Sequence, residues 1–304
     1  MKKLVIALLC SLALTAQAQT RETVTIIYGF SAADSSANYG RNLANEANKL
    51  QNKYNFLFDV KPGGGQSIAV NYVKNTPNQI LMTSGVFWLR PGLYPDASYN
   101  SHEFKTLATM CSAPFAVGSV KFKTWRDVPT DKPITIATSG LGVISHLVAI
   151  ELQKKYSNAT IVPFKSTAEA VTNTLGQQVD IVVGFVGDLE KYANLSDGKT
   201  GITILGITGA KPLPKYATLA SQGFNSALAK MNTPYNLMIP TAWSDKKATE
   251  VQAILLKVES TKSVRDAYQA DSCMPFQVSK NQLDNWWHEQ NKYWLGLSVG
   301  VKVD

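Results

Sequence analysis

The segment from Ile134 to Phe185 alternates strand and helix signals, and this alternation constrains the fold more than any other feature of the chain. A β-branched run over residues 134–138 ends at Ser139-Gly140-Leu141-Gly142, and apolar residues then recur at helical spacing. Strands that alternate with helices in this way predict parallel βαβ units. In such sheets ligands collect at the carboxyl ends of the strands.

The glycine turn after residue 138 predicts a site for a negatively charged group. Such a turn leaves backbone N–H groups unpaired at a helix N-terminus, where the helix dipole favours an anion. The spacing Gly140-x-Gly142-x-x-Ser145 also resembles a dinucleotide fingerprint, but the third glycine is missing. The next strand ends in Lys165-Ser166-Thr167 rather than in the acidic residue that holds a ribose. An ordinary tight turn remains the open alternative.

The N-terminal half continues the α/β pattern. Strands are predicted over residues 23–28, 56–60, 80–83 and 106–110, and a helix carries Leu43, Ala47 and Leu50 on one face. The turns after Tyr28, Thr83, Thr138 and Phe164 are all expected at one edge of a sheet. Near the C-terminus, Leu283, Trp287, Trp294 and Leu297 form a stripe that indicates core packing.

The first 18 residues have the three parts of a secretory signal peptide. Lys2-Lys3 is basic, residues 4–14 are apolar, and Ala16-Gln17-Ala18 is a cleavage site. We therefore expect cleavage after Ala18 and an exported, periplasmic protein. The rest of the 304-residue chain is too long for one small core and suits two lobes.

Charge and cysteine content narrow the function classes. The net charge is +8, with basic residues scattered along the chain, so nucleic-acid binding is not expected. Cys111 and Cys273 remain after the signal peptide, and an even pair in an exported protein predicts a disulfide, with two separate buried thiols as the alternative. His102, His146 and His288 lie far apart, so neither a metal nor a cofactor is predicted.

Five motifs, in order along the chain, resemble those of one family. They are Lys61-Pro62-Gly63-Gly64-Gly65, Ser139-Gly140-Leu141-Gly142-x-x-Ser145-His146-Leu147, Val162-Pro163-Phe164-Lys165, Leu175-Gly176-Gln177-Gln178-Val179-Asp180, and Ile204-Leu205-Gly206-Ile207-Thr208 followed by Leu213-Pro214. This series resembles the signature of the tripartite tricarboxylate transporter receptors, the Bug family of extracytoplasmic solute-binding proteins. The resemblance covers nearly all of the mature chain.

That resemblance implies an α/β, two-lobed periplasmic-binding-protein fold of type II with a ligand cleft between the lobes. Lobe one would comprise residues 19–120 plus 240–304, and lobe two residues 121–239. The implied function is to capture a small organic acid or related metabolite and present it to membrane transporter subunits, and a monomer is expected. The alternatives are an exported hydrolase-type enzyme and a ligand-sensing receptor without a dedicated permease.

The resemblance also implies a set of ligand-binding residues, which hold carboxylates through backbone amides, hydroxyls and ordered water. The first group follows the first strand, the second surrounds the glycine turn, and the third lies at neighbouring strand ends: Phe30, Ser31, Ala33, Ser35 and Ser36; Thr138, Ser139, Gly140, Gly142 and His146; Ser84, Ser166, Thr167 and Phe185. His146 could equally be a helix-packing residue. The adjacent Ser145 is no nucleophile for it, because neighbouring helical side chains point apart. We therefore expect no enzyme activity.

Two positions depart from the family pattern. Asp34 lies in the loop that would bind a carboxylate, where it would repel an anion unless it turned outward or capped a helix. Val143 stands where the family usually offers a small hydroxyl residue, so one hydrogen-bond donor is lost. These departures suggest a ligand that is less acidic than a di- or tricarboxylate, or one with an amine that Asp34 could accept. The alternative is that Asp34 only caps its helix.

Overall fold

The strands of the chain form two separate mixed sheets. The computed structural model describes residues 21–94, 99–193 and 201–303, so the predicted signal peptide lies outside the described residues. The first sheet has the strand order β11-β4-β10-β3-β1-β2, and the second has the order β7-β6-β8-β5-β9. Their bounds are β1 Glu22–Tyr28, β2 Tyr54–Val60, β3 Gln79–Thr83, β4 Phe104–Ala113, β5 Phe115–Ser119, β6 Ile134–Thr138, β7 Ala159–Pro163, β8 Ile181–Phe185, β9 Thr203–Ile207, β10 Thr233–Pro240 and β11 Met274–Pro275.

The two sheets share one topological pattern. In the first, β1 is the middle of three parallel strands, with β2 and β3 on either side. In the second, β6 has the same position between β7 and β8. Each sheet then continues through one antiparallel strand, β10 in the first and β5 in the second. The prediction of parallel βαβ units is correct for the three-strand groups, but the sheets as a whole are mixed.

The antiparallel strands are the places where the chain crosses between lobes. After β4 the chain passes Pro114 and enters the second sheet as β5, and it returns to the first sheet as β10. Both crossings lie several residues before the predicted boundaries at 120/121 and 239/240. The sequence did not identify β5 or β10, because both strands pair antiparallel with their neighbours and the βαβ pattern indicates only parallel strands.

Helices pack on the faces of both sheets. They are α1 Ala37–Leu50, α2 Ser67–Asn75, α3 Val86–Leu93, α4 Ile144–Gln153, α5 Thr167–Leu175, α6 Val186–Glu190, α7 Asp245–Glu259, α8 Lys262–Ala270 and α9 Leu283–Ser298. The predicted C-terminal stripe is largely confirmed, since Leu283, Trp287 and Trp294 of α9 are buried. Among the described residues, none of the helices combines the length and the apolar character needed to cross a bilayer.

A disulfide stabilises lobe one, and an aromatic cluster connects it to lobe two. The predicted disulfide is present between Cys111 of β4 and Cys273, whose Cα atoms lie 5.5 Å apart. On α1, Tyr39 makes edge-on aromatic contacts with Tyr235 of β10 and with Phe185 at the end of β8. Because β8 belongs to the other sheet, this aromatic cluster joins the two lobes behind the strand ends.

Candidate functional site

A small cavity lies where the strand ends of both sheets meet. Its volume is about 30 Å³, which leaves room for roughly two water molecules. The lining residues come from the loops after β1, β3, β6 and β8 and from neighbouring positions of both lobes: Tyr28, Phe30, Asp34, Ser36, Ser84, Val86, Phe115, Ser139, Val143, Ile144, Thr167, Phe185, Asp188 and Tyr235. In this conformation the cavity is too small for a molecule of more than a few atoms.

Two N–H groups of the glycine turn donate hydrogen bonds to side chains of α4, the helix that follows the turn. Ser139 donates its N–H to the Oγ of Ser145 at 3.1 Å, and Gly142 donates its N–H to Nδ1 of His146 at 3.1 Å. By contrast, the N–H groups of Val143 and Ile144 have no acceptor within the described part of the chain, and both residues line the cavity. The anion-binding end of α4 is thus displaced from the glycines to the residues that follow them.

The backbone conformation at position 142 and the contact with Tyr94 both require a glycine there. Its φ of +62° lies in the left-handed region, and a Cβ there would stand 2.2 Å from a ring carbon of Tyr94 in lobe one. Beside it, Arg90 donates from Nη1 to the carbonyl oxygen of Leu141 at 3.3 Å. The turn therefore presses against lobe one on one side of the cavity.

The loop after β1 is folded back on itself before α1 begins. Ala33 donates its N–H to the Oγ of Ser31 at 3.1 Å, and the hydroxyl groups of Tyr28 and Ser36 lie 2.7 Å apart. The N–H of Ser36 has no acceptor among the described residues, and Ser36 lines the cavity at the start of α1. Lobe one thus contributes a helix start that faces the helix start of α4 in lobe two.

Two carboxylates, one from each lobe, accept hydrogen bonds from the backbone of the opposite lobe. Asp34 of lobe one accepts a hydrogen bond at 3.3 Å from the N–H of Ala168, in the first turn of α5 in lobe two. Asp188 of α6 in lobe two accepts one at 2.5 Å from the N–H of Ser35, just before α1 in lobe one. Each carboxylate therefore caps a helix of the opposite lobe, where the dipole favours negative charge.

Burial dominates the electrostatics of this pair. Only 3% of Asp34 and 5% of Asp188 is exposed. Loss of solvation, followed by the negative charge of Asp188, raises the pKa of Asp34 well above its ordinary range. Loss of solvation likewise raises the pKa of Asp188, although the N–H of Ser35 opposes the shift. The positive charge of Lys191 lowers both pKa values without reversing either shift.

The structure brings some of the predicted site residues together at the cavity and assigns the others to local structure. Those that line it are Phe30, Ser36, Ser84, Ser139, Thr167 and Phe185; those that do not are Ser31, Ala33, Ser35, Thr138, Gly140, Gly142, His146 and Ser166. Ser166 caps α5 by accepting the N–H of Glu169 at 3.2 Å, and Thr138 donates to the carbonyl oxygen of Gly140 at 3.1 Å. These two polar side chains therefore build the loops around the cavity.

Several lining residues were absent from the predicted set. Phe115 and Tyr235 belong to the strands that cross between lobes, which carried no sequence signal. Asp188 follows the end of β8 by three residues, so its position at a predicted strand end was the one signal that could have identified it.

Neither a hydrolase pair nor a metal cluster is found in the described ranges. His146 is 4% exposed, and burial lowers its pKa. Its Nδ1 accepts from Gly142, while the Oγ of Ser145 lies 2.9 Å from the Oγ of Ser139, so the serine and the histidine serve separate structural roles. In these ranges no group of three or more His, Cys, Asp or Glu side chains could hold a metal ion.

A larger groove of about 550 Å³ lies elsewhere on lobe one. It runs between α7 and α9 over β4 and β10, and its lining includes His102, Gln252 and Trp287. Its lining includes no residue of the second sheet and none from the loops after β1 and β3. The candidate site is therefore the smaller cavity between the lobes.

Comparisons with solved structures agree with this geometry. The periplasmic binding protein BugD has a TM-score of 0.81 and 19% sequence identity, over 91% of this chain and 96% of that one. An R. palustris protein with adipate has a TM-score of 0.80 and 17% identity, over 92% and 96% of the two chains. MatC from Rhodopseudomonas palustris, with bound malate, has a TM-score of 0.77 and 17% identity, over 91% and 99%.

No protein-family model matches the chain, and no curated protein matches it in sequence. At such low identities the structural likeness establishes a shared fold. The expected fold class is confirmed: the chain is an α/β protein with the two-lobed fold of the periplasmic binding proteins, and its cavity lies between the lobes.

Proposed function

We propose that this protein is an exported solute-binding receptor that captures a small carboxylate-containing metabolite between its lobes and presents it to membrane transporter subunits. We place it in the Bug family, on the motifs quoted above and on the likeness to BugD. The observation that carries the proposal is that the starts of α1 and α4, one from each lobe, meet at one cavity with free N–H groups at Ser36 and Ile144.

Free N–H groups at a helix start are suited to a carboxylate that must leave water. A buried carboxylate has to recover several kcal/mol of lost hydration, and hydrogen bonds with a favourable helix dipole can supply them. A ligand that bonded to both helix starts would contact both lobes. It would then bind the closed state more tightly than the open one, which is the condition for ligand-driven closure.

The proposed site comprises the predicted residues that line the cavity together with those that build its loops. The first act on the ligand directly: Phe30, Ser36, Ser84, Ser139, Thr167 and Phe185. The others act by positioning: Ser31, Ala33, Ser35, Thr138, Gly140, Gly142, His146 and Ser166. Malate and adipate in the two R. palustris proteins of the same fold support a carboxylate as the ligand class.

The remaining parts of the proposal concern location and partners. The protein would be exported by its first 18 residues, cleaved after Ala18, and would work in the periplasm as a monomer. It would return its ligand chemically unchanged and would need no cofactor. A receptor that passes the ligand to a sensor instead of a permease would use the same site.

Native mass spectrometry of the protein freshly isolated from its host tests the proposal. We expect a small carboxylate-containing molecule that remains bound in the folded protein and dissociates on unfolding. The released molecule, when added back, should raise the Tm and be recovered intact. Conversion of that molecule by the purified protein would refute the receptor function, as would a protein that neither carries nor binds any small acid.

A further inference from the structure

The interlobe cavity has an acidic lining. Asp34 and Asp188 face it from opposite lobes, and both are more than nine-tenths buried. Among the described residues that line the cavity there is no Lys, Arg or His. Lys191 acts on both carboxylates through its charge but does not line the cavity.

Two hydroxyl groups in the same cavity are independently available to a ligand. Ser84 is 8% exposed and Thr167 is 6% exposed, and both line the cavity. Neither side-chain hydroxyl makes a hydrogen bond within the described part of the chain. Each hydroxyl can therefore donate to or accept from a guest in the cavity.

The aromatic side chains that line the cavity favour a positively charged group, as the two carboxylates do. Phe30 and Tyr28 lie on one side with their rings 5.6 Å apart, and Phe185 and Tyr235 lie on another with theirs 5.5 Å apart. The faces of aromatic rings carry partial negative charge and attract cations, and that attraction strengthens when water is excluded.

A ligand with only carboxylates would suit one part of this cavity and not the other. The helix starts at Ser36 and Ile144 can hold an anion, but an additional anion near Asp34 and Asp188 would increase the repulsion that their burial already imposes. A positive group at the two aspartates would remove that repulsion.

We propose that the ligand carries a protonated amino group in addition to its carboxylate, and that Asp34 and Asp188 bind this ammonium group between the lobes. The inference rests on the receptor function proposed above and defines its ligand class as an amino acid or a similar zwitterion. An ammonium group has three donors and can bond to both carboxylates at once. It would link the lobes and add to the differential binding that closes them.

Matched pairs of small acids test the ammonium group directly. Isothermal titration at pH 7.5 would compare butyrate with 4-aminobutyrate, valerate with 5-aminovalerate, propionate with alanine, and glutarate with glutamate. We expect the amino member of at least one pair to bind about tenfold or more tightly than its partner, as for hydrogen bonds to charged groups. Calcium chloride alone, the metal control, should not raise the Tm.

Variants assign the preference to the two aspartates. Asp34→Asn and Asp188→Asn, singly, should each reduce the preference for the amino member at least about tenfold. Their affinity for the unaminated partner should stay equal or rise. Asp266→Asn, which removes an exposed carboxylate on α8, is the matched control and should leave the preference unchanged.

Other outcomes of these titrations would contradict either the ammonium proposal or the receptor function. If, in every pair that binds, the unaminated acid binds as tightly as its amino partner, the ammonium proposal is wrong and the receptor function stands. A Tm increase with calcium alone would likewise overturn it in favour of a metal. If no acid of either kind binds, both proposals fail. Because the comparison of pairs uses the unaltered protein, the test holds even where a variant does not fold.

Discussion

Asp188 of lobe two accepts a hydrogen bond at 2.5 Å from the N–H of Ser35 in lobe one. Asp34 returns the contact by accepting from Ala168 at 3.3 Å. Two carboxylates of the protein itself therefore bind helix starts across the cleft and hold the lobes together. A ligand must compete with these contacts or use the carboxylates that make them.

The stability of the ligand-free protein should fall as the pH rises. The pKa values of Asp34 and Asp188 are raised in the folded state, so the folded protein binds protons more tightly than the unfolded chain. This stabilisation is complete below the ordinary aspartate pKa near 3.8 and is lost as the pH rises through the raised values. Glu259, whose pKa burial raises to about 8, contributes in the same direction. Thermal unfolding should give a higher Tm at pH 5 than at pH 8.

Asp34→Asn isolates the contribution of one carboxylate. The amide oxygen can still accept from Ala168, while the buried charge is removed. We expect the Tm at pH 8 to rise by about 2–4 °C, which corresponds to roughly 1 kcal/mol for a chain of this size, and the dependence on pH to become shallower. A Tm that falls more at pH 8 than at pH 5 would contradict this, because it would mean that the charge of Asp34 stabilises the closed form.

Gly142→Ala should destabilise the turn that presses on lobe one. An alanine at φ +62° is strained by about 1 kcal/mol, and its Cβ would displace Tyr94. Gly223→Ala is a matched control, because its φ is +93° and no atom lies within 4 Å of the added Cβ. Thermal unfolding should show a larger decrease in Tm for Gly142→Ala than for Gly223→Ala. Equal decreases would contradict the contact with Tyr94.

His146 should act as an acceptor for the turn. In His146→Ala the N–H of Gly142 loses its partner, so we expect a loss of about 1–3 kcal/mol in unfolding free energy. His146→Asn, which keeps an acceptor oxygen near the position of Nδ1, should recover part of that loss. Urea unfolding of the three proteins measures it. If both variants lose the same amount, ring packing and not the hydrogen bond is responsible.

The disulfide should contribute strongly to lobe one. Cys111→Ser combined with Cys273→Ser opens a loop with a sequence separation of 162 residues, and we expect a loss of roughly 2–5 kcal/mol in unfolding free energy. Reductant should lower the Tm of the unaltered protein and have no effect on the double variant. An unchanged Tm in reductant would show that the bond is not formed in the isolated protein.

The sequence identified the strands that precede helices, because their β-branched runs end in recognisable turns. Strand β6 has the predicted bounds, residues 134–138, and the pattern also located the loops that meet at the cavity. It could not identify β5 or β10, because both pair with antiparallel neighbours and the βαβ pattern indicates only parallel strands. It could not identify Asp188 either, because the contact of Asp188 with Ser35 joins residues 153 positions apart.

The sequence pattern located some of the site residues, whereas the roles of others depend on how their turns fold. Ser84 directly follows β3, and Thr167 begins the helix four residues after β7, so both lie in strand-end loops that the pattern can locate. Gly142 and His146 instead bond to each other, and that depends on how one turn folds. The sequence raised both a ligand contact and a helix cap for Asp34, and the cap is made to α5 of the other lobe.

A crystal structure of the protein isolated from its host with its ligand would show whether both lobes bind the same molecule. We expect an unaltered small metabolite between the lobes, with its carboxylate at the starts of α1 and α4 and contacts to both lobes. A cavity still closed by the bond between Ser35 and Asp188, with the metabolite bound elsewhere or to one lobe alone, would contradict this expectation.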